Sequence, residues 1–368
     1  MRPMLIFVTT FQVLLTCGQC NGSLSLCNKQ YSEVSYLTTH NAYNCSNNGF
    51  NLPNQYLSIT EQLNLGVRGF MIDVYDIFGT VSVYHGTFAL GSEPLSVILQ
   101  EFNTFLTAYP NEVLTIILEC YVSSTEIEVE FSGAGLLNKL YSHNEGSPWP
   151  TLQQLINDGK NIVLFTDQND ALPSQNWYNY MWTNMVETHY SVDSPSLFTH
   201  DFNRGDSIND LFIFNHFVTD PVFGVGLEAE ASTVNEFNFL MDRIVENYSL
   251  KQKFPNFITL DFVSIGDGLQ VVNDLNQNGL KTKEIDRPII KIYPNPTSMK
   301  LYLDVISDKL NERWDISIND ISGRSLYLEQ TSKFNSQVID VSELDRGYYI
   351  LTISMDNNIF YSEKIILK

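Results

Sequence analysis

Lysine and arginine are scarce in this chain: 21, against 42 aspartates and glutamates, a formal net charge of −21 over 368 residues. That shortage excludes the basic stripes that displace counterions from nucleic acid. It equally excludes a polybasic face for anionic membranes. Cysteine is sparse too, with five residues, too few for a disulfide framework. No Cys/His spacing resembles a zinc site. Glycine (20) and proline (13) are too few for a collagen-like chain. No apolar run reaches the roughly 20 residues that span a bilayer. What remains is 43% hydrophobic, enough for ordinary buried cores, and at roughly 100–200 residues per domain the length predicts two domains.

The N-terminus has the features of a secretory signal, assigned to residues 1–20: Arg2, an apolar run from Met4 to Thr16, then small residues to Gly18. Cys17 and Cys20 allow a lipoprotein reading, though the residues before each fit that cleavage poorly. In an exported chain Cys27 and Cys45, flanking a strand-like segment, are expected to form a disulfide worth roughly 3 kcal/mol. Cys120, inside the apolar run Val113–Cys120, reads as a buried free thiol. Sequons at Asn21, Asn44 and Asn247 matter only where the source glycosylates them.

From 27 to 280 short apolar runs alternate with helical patterns. The runs are Glu33–Thr39, Gly66–Tyr75, Val81–His85, Val113–Tyr121, Asn161–Thr166, Leu211–Phe217 and Phe257–Val263. Helical spacing fills segments such as Pro94–Ala108 and Val234–Tyr248. Doubly buried strands separated by helices predict a parallel sheet. Their number favours an α/β, TIM-like (β/α)₈ barrel, regular or distorted, over a doubly wound sheet. Residues 281–288 form a charged linker. From 289 to 368 the pattern alternates with period two and predicts a small all-β, Ig-like sandwich without His or Cys.

In such a barrel, polar residues at the C-terminal ends of strands are the candidates for chemistry. His40 ends the first strand and His85 the third, while Asp73, Glu119 and Asp261 each close an apolar run. One histidine is usually structural, but a pair across a bound group can serve as general base and general acid. A buried acid costs free energy unless paired, hydrogen-bonded or bound to a metal. Three at strand ends therefore point to a shared site. Arg204 can contact a phosphate or head group, and His143, His189, His200 and His216 read as structural. The aromatic cluster Trp177, Tyr178, Tyr180 and Trp182 reads as helix core or as a lipid contact.

These residues resemble the phosphatidylinositol-specific phospholipase C X-domain superfamily of barrel phosphodiesterases. The similarity rests on Thr39-His40-Asn41, Gly66–Asp76, His85-Gly86, Thr115–Glu119 and Asn256–Phe262. It also includes Trp149–Leu152, Asn161–Thr166, Met185–Glu187 and Asn203-Arg204. The resemblance implies that His40 works at the nucleophile, that His85 protonates the leaving alkoxide and that Asp261 orients His40. The metal-free bacterial members carry Arg and Lys at the positions of Asp73 and Glu119. Two anions there would repel a phosphodiester unless a cation bridges them. The resemblance to calcium-dependent members implies a Ca²⁺ site on Asn41, Asp73 and Glu119. Those members have Glu where this chain has Met71, so weaker metal affinity is expected and the base role falls to His40. The implied activity is that of a phosphoric diester hydrolase on a phospholipid or another phosphodiester, with transient contact to a membrane surface. Other readings of the site are a glycerophosphodiester or GPI-type head group, or an inactive barrel used for binding.

The C-terminal segment has its own resemblance. Tyr293–Thr297, Asp320–Arg324, Leu344–Tyr349 and Lys364–Lys368 look like the sorting domain of type IX secretion, a bacterial system of the Bacteroidetes. It implies secretion or cell-surface attachment through that machinery. A carbohydrate-binding or adhesive sandwich is the alternative.

Overall fold

The computed structural model describes residues 19–221, 224–280, 289–306, 314–320, 324–331, 336–355 and 358–368. The expected signal segment, except its last two residues, and the 281–288 linker lie outside the described residues. The chain divides into two compact units on either side of Leu280 and Lys281.

The first unit is built on eleven strands: β1 (Tyr36–Thr39), β2 (Gly69–Ile77), β3 (Thr80–Val83), β4 (Glu93–Pro94), β5 (Leu114–Cys120), β6 (Ile162–Thr166), β7 (Asn179–Tyr180), β8 (Met185–Thr188), β9 (Phe202–Gly205), β10 (Leu211–Asn215) and β11 (Phe257–Leu260). Their order in the sheet is β7-β6-β5-β2-β1-β11-β10-β8-β9. Neighbours pair parallel along this path except β8 with β9. The hairpin β2–β3 and the short β4 hang off the path. The parallel strands thus follow chain order around a barrel, as the alternating pattern predicts. Among the described residues no ladder joins β7 to β8, so the barrel is distorted at that seam.

The helices are α1 (Ile59–Leu65), α2 (Leu95–Ala108), α3 (Ser124–Gly133), α4 (Leu152–Asn157), α5 (Glu228–Val234), α6 (Phe237–Lys251) and α7 (Gly268–Asn278). Three start on capping boxes, Ser58/Glu61, Ser123/Glu126 and Thr151/Gln154, in which two orphan N–H groups are satisfied reciprocally. In α2 the buried residues Leu95, Ile98, Leu99, Phe102, Phe105 and Leu106 fall on one stripe. No described residue between β6 and β10 is α-helical. The Trp177–Trp182 cluster therefore lies on the turn before β7, on β7 and on a 3₁₀ turn, not on an α-helix, with Trp177 and Tyr178 buried. The Asn179 amide holds that irregular segment by donating to the carbonyls of Leu164 and Trp177.

Strand alternation sorts the core into two layers. Ile116, Leu118, Phe70 and Ile72 face outward to the helices. Tyr36, Ile117, Val163, Phe165, Met185, Ile213 and Phe257 fill the barrel interior. The expected Cys27–Cys45 disulfide does not form. Cys27 bonds Cys20 across a turn, at a Cα–Cα distance of 5.1 Å. Cys45 is a buried free thiol, because its segment folds against Gln55 instead. Cys120 is buried and free, as expected. Asn44 is buried inside a hydrogen-bond network, and Asn247 is buried with its amide donating to the His200 carbonyl.

The second unit holds β12 (Ile289–Tyr293), β13 (Lys300–Ile306), β14 (Trp314–Asp320), β15 (Ser325–Thr331), β16 (Ser336–Asp340), β17 (Gly347–Met355) and β18 (Asn358–Leu367). They form two antiparallel sheets, β12-β13-β16 and β15-β14-β17-β18. Alternate residues Leu301/Leu303, Ile316/Ile318, Leu351/Ile353 and Ile365/Leu367 make one core, that of a small β-sandwich.

Candidate active site

The inward phase that carries apolar residues through the barrel turns polar at the C-terminal end of the strands. Met71 and then Asp73 follow this phase on β2, Ile117 and Glu119 on β5, and Ile213 and Asn215 on β10. The result is a cleft of about 430 Å³ lined by His40, Asn41, Asp73, His85, Glu119 and Arg204 together. Asp261 lies behind His40, one residue past β11. Every site residue predicted from the sequence is therefore in this region. Met71 lies on its floor, half-buried against the interior core.

His40 Nδ1 is 2.9 Å from Asp261 Oδ1. Its ring lies flat on Phe217, centroids 4.0 Å apart. Nδ1–H donation to the carboxylate fixes the tautomer and leaves Nε2 as the proton acceptor. Asp261 is held in turn by the Asn54 amide, whose Nδ2 lies 3.2 Å from each carboxylate oxygen. The Asn54 carbonyl accepts from Asn41 and Asn44. Asn54 is fully buried, so one amide ties the His40–Asp261 pair to Asn41. Because Asn41 spends its NH₂ on Asn54, its carbonyl oxygen is the group left for a ligand. Gly226 closes against the other side of Asp261, where a Cβ would sit 2.5 Å from Oδ2.

The charges do not balance around Asp73 and Glu119. These residues are register partners on β2 and β5. Burial first, then the Glu119 carboxylate, pushes the Asp73 carboxyl up to about 7. Tyr121 donates its hydroxyl to Glu119, and among the described residues no Lys or Arg pairs with either acid. Burial by itself would lower the His40 pKa, but Asp261, joined by Asp73 and Glu119, outweighs it and raises it. His85 moves the other way, lowered by burial and then by the His40 charge. The two imidazoles thus sense each other across one cleft with oppositely biased proton affinities.

Two carboxylates and an amide oxygen without a cationic partner are a donor set that fits a hard cation. Among the described residues no three His, Cys, Asp or Glu side chains converge as a metal centre. The third donor here is an amide, and Met71 adds none.

Arg204 lies at the opposite wall. Its guanidinium is stacked on Trp182 (4.6 Å) and Tyr190 (4.5 Å), and its Nε donates to Glu187. Glu187 also accepts from Asn215 and Asn203. Sequence reasoning assigned no role to Glu187, Asn215 or Asp167, yet all three line the cleft. The signal for them was the one used for Asp73: each is the inward-phase polar residue at the end of an apolar strand. His216 is structural, as expected; its Nε2 donates to the Val234 carbonyl and its Nδ1 accepts from Arg243.

A PI-PLC X domain family model (PI-PLC X 1) matches residues 26–276, and the secretion system C-terminal sorting domain matches residues 291–368. A PI-PLC X domain-containing protein of Arabidopsis thaliana is 29% identical over 280 residues, covering 69% of this chain and 63% of that protein. The chain thus spans less than two thirds of that relative's length. PI-PLC X domain-containing protein 1 of Arthroderma benhamiae is 26% identical over 283 residues, covering 70% of this chain and 89% of the relative. A solved phosphatidylinositol-specific phospholipase C of S. aureus is 15% identical, covers 64% of this chain and 88% of its own, and superimposes with a TM-score of 0.44.

Proposed function

The chain belongs to the PI-PLC X family, and from that premise we propose that its cleft cleaves a phosphodiester in the manner of a phospholipase C. The observation that carries the reading is the His40–Asp261 pair facing the same cleft as His85, beside Asp73 and Glu119, with which no described Lys or Arg pairs. On an inositol lipid, His40 Nε2 takes the proton of the inositol 2-hydroxyl. That oxygen bonds to phosphorus as the phosphorus–oxygen bond to diacylglycerol breaks. His85 gives its proton to the departing oxygen, leaving a cyclic phosphate that water can open. Asp261 steadies the imidazolium formed on His40, and Arg204 contacts the phosphate or head group. Asn41, Asp73 and Glu119 would hold Ca²⁺. That ion, when bound, supplies positive charge beside the phosphate oxygens.

The chain carries a C-terminal sorting domain for export, so the substrate is met outside the cell or at its surface. His40→Ala and His85→Ala are each expected to cost at least about 10²-fold in rate. Near-wild-type turnover by either variant in a phosphodiester assay overturns the mechanism. A panel of inositol, glycerol and glycosylated-inositol phosphodiesters reads the head group. Calorimetric Ca²⁺ titration of wild type and Asp73→Asn reads the metal. Equal binding, or none in wild type, removes the proposed site.

A further inference from the structure

The two imidazoles of the cleft are held very differently. Asp261 fixes His40 through Nδ1, and Phe217 supports the face of its ring. The His85 ring has neither a hydrogen bond nor a stacked ring among the described residues. Its place in the cleft therefore depends on its main chain. His85 lies two residues past the end of β3, beyond the ladder with β2. The Thr87 N–H donates to its carbonyl at 2.7 Å, a contact within the same turn.

Tyr43 supplies a hold from another element. Its hydroxyl donates at 2.8 Å to the Tyr84 carbonyl, the oxygen of the peptide that leads into His85. The same hydroxyl hydrogen-bonds the Asp73 carboxyl. Tyr43 is fully buried, edge-on to Phe50 with ring centroids 6.0 Å apart. The turn after β1 places it there. Asn41 takes φ 45°, the Ala42 N–H donates to the Met71 carbonyl, and the Gln62 amide donates to the Ala42 carbonyl. One short segment thus carries His40, Asn41 and a hydroxyl that reaches both Asp73 and the main chain before His85. Packing alone does not call for that hydroxyl, because burying it costs free energy that only its hydrogen bonds offset.

We propose that Tyr43 is the positioning residue of the general acid. Its hydroxyl fixes the Tyr84–His85 peptide and, through the Asp73 carboxyl, ties that peptide to the proposed cation site. The roles of His85 and Asp73 in it rest on the phospholipase reading.

Tyr43→Phe removes the hydroxyl and keeps the ring. It is assayed in the full chain, alone and combined with His85→Ala, on whichever inositol, glycerol or glycosylated-inositol phosphodiester wild type cleaves fastest. In the wild-type background kcat is expected to fall at least about tenfold, the scale of a misplaced catalytic group, with KM within about twofold. In the His85→Ala background the same substitution should cost less than about twofold, since the group it positions is already gone. A purely structural loss would cost the same factor in both. Phe50→Leu trims the packing around Tyr43 without touching the hydroxyl, and its turnover should stay within about twofold of wild type. Calorimetric titration with Ca²⁺ should show Tyr43→Phe binding about tenfold more weakly, as when a group holding a ligand from behind is lost. Four results overturn the proposal: an equal cost of Tyr43→Phe in both backgrounds, a loss carried by KM, a loss as large in Phe50→Leu, or unchanged Ca²⁺ affinity. If wild type cleaves none of the phosphodiesters, the catalytic reading and the general-acid role of Tyr43 fall together, and the calorimetry still decides its tie to Asp73.

Discussion

At the scale of single residues, the buried Asn54 amide is the point on which the cleft is most exposed to mutation. It donates to both oxygens of Asp261 and accepts from Asn41 and Asn44. Asn54→Leu keeps the branched shape and removes every one of these bonds, stranding buried polar groups at about 1–3 kcal/mol each. Turnover is expected to fall at least about tenfold with the His40 limb of the pH–rate profile displaced, and an unshifted profile would limit Asn54 to a packing role. His216 allows a cleaner pH experiment. Burial, then the Arg243 charge, lowers its pKa to about 3. The unfolded chain therefore binds a proton near pH 6.5 that the folded protein refuses until about 3, so stability falls as pH drops through that window. Urea unfolding should lose about 2 kcal/mol more between pH 7 and 5 in wild type than in His216→Gln, which keeps both hydrogen bonds without titrating. His40 and Asp261 were legible in the sequence because each ends an apolar strand. Asn54 was not, since it sits in a loop without periodicity and owes its role to a partner 207 positions away.

At the scale of elements, the parallel strands could be read because burial on both faces leaves a run of Val, Ile, Leu and Phe with few other uses. β7, β8 and β9 escaped that reading: β7 is two residues long, and β8 and β9 mix charged and polar residues into four positions, leaving no apolar run. The helical expectation for Trp177–Trp182 failed for a related reason, as aromatic content does not distinguish a helix from a folded-back loop pinned by Asn179. The disulfide followed chain spacing in the expectation and turn geometry in the fold. Close approach between elements is equally invisible in one sequence. Gly226 belongs to the loop before α5, and its Cα–H faces Asp261, where a methyl would meet Oδ2 at 2.5 Å and the carboxyl carbon at 3.0 Å. Gly226→Ala is expected to displace Asp261 from His40 and reduce activity at least about tenfold, the scale of a misplaced catalytic geometry. Gly133→Ala, at the end of α3 with open space around its Cα, should leave activity unchanged and raise stability by about 0.5–1 kcal/mol. Assays of the two side by side separate a steric effect on the carboxylate from a general effect of adding a methyl.

At the scale of the whole molecule, the change from alternating βα units to period-two strands near Gly279 marked the division that the fold shows at Leu280 and Lys281. Charge had a narrower use. A net −21 argued against nucleic acid and polybasic membrane contact, but it could not show that uncompensated negative charge gathers at Asp73 and Glu119. The strand-end positions placed both acids in one site, and the register of β2 and β5 sets them side by side. The two units have separate hydrophobic cores, one built on Phe70, Ile116 and Leu118 with the barrel interior, the other on Leu303, Ile316 and Leu351. Every described residue lining the cleft belongs to the first unit, whereas the sorting domain matches only the second. A chain ending at Leu280 is therefore expected to fold and to keep its kcat/KM on a soluble phosphodiester within about twofold, as an independent core allows, while losing export. The measurement pairs the kinetics of the purified truncated chain with its distribution between cells and medium. Loss of turnover in a truncated chain that still unfolds cooperatively would show that the second unit serves the cleft as well as secretion.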